Sequence, residues 1–224
     1  TIIPENITSI TRKKSHFKIC TLSPDSTSGE EFQHVYYAHS VVFAAGTTPT
    51  KLQIPGEDEF WGKGVSNCAI CDGALYKGKV VAVVGGGEAA LLEAQYLSTL
   101  AKTVYIIVRK NTFRSHEASR LAFVKSAPNI TVLFNRAITA IVGSSGRLTK
   151  IALQDTATNK EAGELALDGL FQAIGSQPNS TPVRKLVSCD ELGHVRVQSD
   201  FSTTTPGFFA IGDVTQTHYR QAIM

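Results

Sequence analysis

The sequence predicts an α/β protein with a parallel strand at its centre, and three consecutive stretches predict it. Residues 79–84 (KVVAVV) form an apolar, β-branched run suited to a buried parallel strand. Gly85-Gly86-Gly87-Glu88-Ala89-Ala90 comes directly after it, a G-x-G-x-x-A pattern. Leu91, Leu92, Ala94, Gln95, Tyr96 and Leu97 then continue with helix-forming residues and helical apolar spacing. Strand, glycine turn and helix in that order are the context that gives the glycine pattern meaning, a dinucleotide-binding unit of the Rossmann type.

Each residue of the turn has a physical task. Gly85 permits the tight turn, Gly87 lets the backbone approach a pyrophosphate without a Cβ in the way, and Ala90 is small enough for the helix to pack on the strand. Glu88 and Ala89 open the helix whose N-terminus would receive the phosphates. A glycine turn in an unrelated α/β unit is the plainer reading, and the flanking strand and helix disfavour it.

The next strand, residues 103–108 (TVYIIV), discriminates between cofactors. An NAD site carries Asp or Glu about 20 residues beyond the first glycine, on the ribose hydroxyl. Here Arg109 and Lys110 stand at that place, with Arg114 close behind. A carboxylate would repel a 2′-phosphate, whereas a guanidinium binds it with two hydrogen bonds, so the strand end reads as NADP rather than NAD. A solvated basic strand end is the plainer alternative.

Upstream, Cys68 and Cys71 are spaced so that a helical first turn places both sulfurs on one side, within disulfide reach. A helix N-terminus favours the thiolate that performs exchange, and Asp72 adjoins the pair as a proton donor and acceptor. The same C-x-x-C is half of a zinc site, but Cys20 and Cys189 are isolated from each other and from any close His pair, so no metal is expected.

The ordered segments CAICDG, GGGEAA, VRKNTFR and FFAIGDVTQTHYRQA resemble the low-molecular-weight thioredoxin reductases, flavoproteins that use NADPH to reduce the thioredoxin disulfide. The resemblance runs over essentially the whole chain. It implies a two-domain pyridine-nucleotide disulfide oxidoreductase fold, with a Rossmann-type NADP domain inserted in an FAD domain. It places the redox pair on Cys68 and Cys71, the acid on Asp72 and the NADP site on Gly85, Gly87, Glu88, Ala89, Ala90, Arg109, Lys110 and Arg114. Ile174 and Gly175, where the chain leaves that domain, are further cofactor-binding positions that it implies, and Gly212, Asp213, Val214, Arg220, Gln221 and Ala222 match the segment that closes over the flavin. Cys71 would face the flavin and Cys68 would attack the substrate disulfide, with one domain rotating against the other about residues 53–62 and 175–180. A thioredoxin substrate and a homodimer come with the resemblance, and so do a catalytically inactive NADP-binding piece and a ferredoxin-fed or regulatory relative as alternatives.

Composition agrees. Hydrophobic residues make up 42% and charged residues 18%, which describes a globular chain, and no run of 18 apolar residues could span a membrane. Residues 1–13 are interrupted by Pro4, Glu5 and Arg12 and do not read as a secretory signal. A formal charge of +3 is too small to point to nucleic acid. Two of the four cysteines stand in the C-x-x-C, which suggests catalytic thiols in a reducing compartment, the cytoplasm.

Taken in order, residues 16–21 (HFKICT) alternate like a strand, residues 23–31 are rich in turn formers, and residues 36–45 resume strand character before Gly46. Residues 1–56 are expected to be part of the FAD domain, 57–176 the NADP domain carrying the redox pair, and 177–224 the returning FAD part. Within the second, residues 130–134 are a strand, Gly143-Ser144-Ser145-Gly146 marks a hairpin, and 165–174 bring the chain back. Residues 195–197 and 208–211 read as short strands, and Asp213 as a residue able to cap the helix expected after it.

The departures from the family pattern are specific. Val108 stands where the family usually has His, Lys110 replaces an Arg, and Asn111 an Asp; Lys keeps the charge but loses the planar fork. Glu88-Ala89 stands where an acidic or amide residue and a hydroxyl residue are common. No glycine turn for an FAD pyrophosphate occurs before Gly85, Thr1 is not an initiator methionine, and Met224 stops in an expected helix. The chain therefore reads as lacking both ends of the family's flavin domain.

Overall fold

In the computed structural model, which describes residues 1–24 and 31–215, the apolar runs of the sequence become strands of a parallel sheet. The chain opens with β1 (Asn6–Arg12), β2 (Phe17–Pro24), β3 (Glu31–Ala38), β4 (Val41–Phe43) and β5 (Thr47–Pro49). It continues through α1 (Glu57–Phe60), β6 (Val65–Ser66), α2 (Ala69–Asp72) and a 3-10 turn, Gly73–Tyr76. Then come β7 (Val80–Val84), α3 (Glu88–Ser98), β8 (Thr103–Val108), α4 (Ala118–Ser126) and β9 (Ile130–Phe134). Three antiparallel strands succeed them, β10 (Arg136–Ser144), β11 (Arg147–Asp155) and β12 (Glu161–Ala166), before β13 (Gly169–Gln172), β14 (Ser176–Pro178) and β15 (Phe208–Ala210). The chain divides into one unit of Thr1–Thr48 with the residues from Ser176 onward, and a second unit of Pro49–Gly175.

In the second unit the sheet order is β6-β13-β7-β8-β9, parallel throughout. Successive side chains of a strand point to opposite faces, so β7 feeds two cores. Val81 and Val83 meet Ala90, Leu91, Ala94 and Leu97 of α3, whereas Ala82 and Val84 meet Ile138, Ile141, Leu148 and Ile151 of β10 and β11. A fully buried Val, Leu or Ile side chain of this kind contributes roughly 1.5–3 kcal/mol. This explains why residues 80–84 are apolar without alternation: both faces of the strand are covered.

The hairpin expected at 143–146 turns at Ser145 and Gly146, with φ of 52° and 73°, the pair of positive values a two-residue type I′ turn needs. The segment that leads into the unit is pinned by Glu57, 2% exposed, whose carboxylate accepts from the N–H groups of Leu52 and Gln53 and from Gln172 Nε2. Gly56 is pressed against the Ile141 carbonyl, where a Cβ would come within 2.0 Å of the oxygen.

The first unit holds the antiparallel sheet β1-β2-β3 and the parallel pair β15-β4. Its core gathers Ile10, Phe17, Phe43, Val183, Val195, Phe208 and Val214. One local expectation needs correction. Residues 195–197 form no strand, because the Val195 N–H goes to Val214 O and the Arg196 N–H to Ser188 O, two different segments rather than one ladder. Residues 165–174 bring the chain back in two pieces: Leu165 and Ala166 end β12, whose sequence EAGELA carries no β-branched residue to signal it, and β13 follows. No helix among the described residues is long and apolar enough to cross a membrane.

Candidate active site

Cys68 and Cys71 are joined by a disulfide, with Cα atoms 5.3 Å apart. The local backbone explains it. Cys68 is extended and caps α2, its Sγ accepts from the Cys71 N–H at 3.2 Å, and the Asp72 N–H closes the turn on Cys68 O at 3.1 Å. Buried Ala69 anchors the turn in the core, while Cys71 is exposed and Cys68 half-buried.

Asp72 is oriented by a residue that the sequence reading missed. Ser66, at the end of β6, donates to Asp72 Oδ2 at 2.6 Å and accepts from the Cys68 N–H at 3.1 Å. The acid and the disulfide therefore share one buried hydroxyl. The signal was a small hydroxyl residue two positions before the first cysteine, where it can close a turn on its own backbone.

The glycine turn lies at the carboxyl end of β7, and α2 packs on α3, the helix that the turn opens. Gly85 (φ 150°) passes so close to the end of β13 that a Cβ would sit 2.4 Å from Ala173 O and 3.0 Å from Ala90 Cβ. Ala90 itself is fully buried. In front of Gly87, among the described residues, only the Arg114 guanidinium approaches, 3.7 Å from where a Cβ would stand. Ala89 is exposed in the first turn of the helix.

The loop after β8 folds back onto this turn. The Arg114 N–H donates to Gly86 O at 2.6 Å. Glu88 is engaged by the Ser115 hydroxyl and by Arg120, and the Ser115 hydrogen bond, foremost, holds its carboxyl below the usual range. Ser115 and Arg120 were also missed by the sequence reading. Arg109, Lys110 and Arg114 are exposed and form no ion pair among the described residues. Val108, the departure from the family's His, is 2% exposed and lies in the core, where its Cγ1 would stand 2.9 Å from a Cβ at Gly86.

Ile174 packs against the second core and Gly175 (φ 102°) is exposed at the exit of the unit. Gly212, Asp213 and Val214 form a 3-10 turn of the first unit, in which a Cβ at Gly212 would meet nothing among the described residues and Val214 is buried; the helix expected after Asp213 lies outside the described residues. Arg220, Gln221 and Ala222 lie outside the described residues. No group of His, Cys, Asp and Glu suited to a metal ion occurs among the described residues.

The family model for pyridine nucleotide-disulphide oxidoreductases matches residues 1–224. This chain belongs to that family. Within the pyridine nucleotide-disulphide oxidoreductases it is similar to thioredoxin reductases. It is 41% identical over 189 residues to "NADPH-dependent thioredoxin reductase 3" of Arabidopsis thaliana, covering 83% of this chain and 35% of that protein. With the thioredoxin reductase of Yarrowia lipolytica it is 37% identical over 227 residues, covering 99% of this chain and 68% of the other. The solved thioredoxin reductase of Giardia duodenalis superposes with a TM-score of 0.82 at 32% identity, over 99% of this chain and 69% of that one. This oxidoreductase chain thus spans between about a third and two thirds of the length of these relatives.

Proposed function

We propose that this chain is the NADPH-binding and redox-active part of a thioredoxin reductase that reduces a protein disulfide through FAD and the Cys68–Cys71 pair. The observation that carries the reading is a disulfide sharing one buried serine with a carboxyl group, on a short helix packed against the helix that a glycine turn opens. The second unit is then the NADP domain with the redox centre, and the first unit the FAD domain's contribution.

The residues fit NADP well. Gly87 leaves its front open for a phosphate, and Arg109, Lys110 and Arg114 stand exposed at the adjoining strand end. For FAD the fit is partial: the exposed Gly212 and the half-buried Asp213 are present, but the G-x-G-x-x-A turn occurs once, at Gly85–Ala90. When bound, a reduced nicotinamide and a flavin supply the electron pair that opens a disulfide. The chain's own part is set by its geometry. As the disulfide opens, a thiolate at Cys68 keeps the Cys71 N–H as a donor, which favours Cys68 as the sulfur that attacks the substrate disulfide. Asp72, held at hydrogen-bond distance by Ser66, carries the proton.

The same reading gives a thioredoxin as partner, a homodimer as assembly and the cytoplasm as location. The unpaired Cys20 and Cys189 support a reducing compartment. The test is NADPH-driven reduction of a thioredoxin disulfide by the complete protein. Turnover is expected to vanish in both Cys68→Ser and Cys71→Ser, while Arg109→Ala with Arg114→Ala raises the KM for NADPH roughly 10- to 100-fold and leaves that for NADH unchanged. Turnover that survives Cys68→Ser sinks the reading. A flavin bleached by reduced ferredoxin and not by NADPH replaces it with the ferredoxin-fed one.

A further inference from the structure

Glu93 lies in α3 on the stripe formed by Ala90, Ala94 and Leu97, all fully buried, and so turns a carboxyl group toward the core. Its Oε2 is shut off from solvent and has no hydrogen-bond partner among the described residues. What it meets there is α2: the backbone N–H of Ala69, the residue after Cys68, interacts with the Glu93 carboxyl. Around it, Gly73 is close to Tyr96 and Leu97, so the redox turn is seated directly on this helix.

A buried carboxyl without a compensating charge is costly, and a chain that needed only packing here would have an apolar residue. We infer that Glu93 is a buried proton acceptor for the Cys68–Cys71 pair, taking up a proton when the disulfide is reduced and so keeping the added negative charge out of the core. The inference rests on the reading of the pair as redox-active. With a dithiol as reductant the step balances. The Cys68–Cys71 bond breaks, the reductant becomes a disulfide, and its two electrons pass to the two sulfurs as one thiol and one thiolate. One of its two protons ends on the thiol and the other on Glu93.

The electrostatics place this proton in the working range. Burial pushes the Glu93 carboxyl up to about 7, against the opposing effect of the Ala69 N–H. The elements packed on α3 carry Asp72 and Tyr76 on the redox turn, Arg120 and Lys125 on α4, and Tyr105 on β8; none of these charges enters the shift. Cys68 and Cys71 are bonded and do not titrate in the oxidised chain. Opening the disulfide adds a thiolate nearby and raises the carboxyl further.

Below about 7 Glu93 is already protonated and reduction takes up no extra proton there; above it the carboxyl is ionised in the disulfide form and gains a proton on reduction. The experiment measures the equilibrium constant for reduction by dithiothreitol, in the purified chain and in Glu93→Gln, between about pH 6 and 9. The wild-type constant divided by that of the variant is expected to be flat up to about 7 and then to fall by up to tenfold per pH unit. A ratio that stays flat throughout overturns the assignment. Infrared difference spectra of the wild type, oxidised against reduced, decide the matter even where the variant does not fold. A protonated-carboxyl band gained on reduction at alkaline pH and kept in Asp72→Asn supports the proposal, and its absence overturns it. Neither NADPH nor thioredoxin is present in these measurements, so failure of the reductase reading leaves them unchanged.

Discussion

Ser66 makes two hydrogen bonds of opposite polarity, donating to Asp72 Oδ2 at 2.6 Å and accepting from the Cys68 N–H at 3.1 Å, and it is itself only 7% exposed. Removing the hydroxyl strands a partly buried N–H and frees the carboxylate, a combination that costs about 1–3 kcal/mol. Ser66→Ala is therefore expected to reduce stability in urea by that amount while the disulfide still forms, since α2 and its cap set the distance between the cysteines. With Asp72 no longer aimed, turnover in the complete protein should fall roughly tenfold or more, with KM for NADPH unchanged. Unchanged stability and turnover would mean that the serine only fills space. Among single residues the sequence was unevenly legible. Cys68, Cys71 and Asp72 are nearly contiguous and readable as a motif, whereas Ser66, Ser115 and Glu93 act through contacts that their neighbours in sequence do not announce.

The strand, turn and helix around Gly85 were legible because two independent signals coincide there: an apolar run of strand length and a glycine spacing that only close backbone packing demands. β8 and β9 were equally readable as β-branched runs of the same sheet. β12 and β1 were not, because an edge or exposed strand is stabilised by its neighbour's backbone rather than by its own side chains. The glycine turn gives a sharp prediction for the element. Gly85→Ala places a Cβ 2.4 Å from Ala173 O, and backbone must move to relieve it. The β7–β13 pairing should loosen at its carboxyl end, with a loss of about 1–3 kcal/mol. Nucleotide affinity, measured by fluorescence titration with NADPH, should drop with it. Gly78→Ala is the control: its φ is also positive but its Cβ meets nothing among the described residues, so it keeps NADPH affinity at a smaller cost in stability. Equal losses of affinity in the two variants would show that the close approach to Ala173 is unimportant.

The two cores of the second unit draw only on residues between Leu52 and Ile174, and the core of the first unit draws on none of them. Covalent continuity alone does not make an independent domain, but here the ends of the segment also meet: the Thr50 N–H donates to Gly175 O at 2.9 Å. Glu57 ties the entering segment to Gln172 of β13, so the start and the finish of the unit are held together by its own side chains. A piece with its own core, closed ends and a length near the common domain size is expected to fold alone. Residues 49–175 expressed by themselves should therefore unfold in one cooperative urea transition, form the Cys68–Cys71 disulfide, and bind NADPH within about threefold of the whole chain. Because the segment enters and leaves at adjacent points, a short flexible linker replacing 49–175 should let the first unit keep its sheet and its Phe17, Phe43 and Phe208 core. A piece 49–175 that lacks a cooperative transition while the whole chain shows one would mean that the first unit supplies stability which the separation of cores does not reveal. Cooperative unfolding with loss of NADPH binding would instead place part of the nucleotide site outside residues 49–175, and with it the assignment of Gly85 to Arg114 as the complete cofactor cradle would fail.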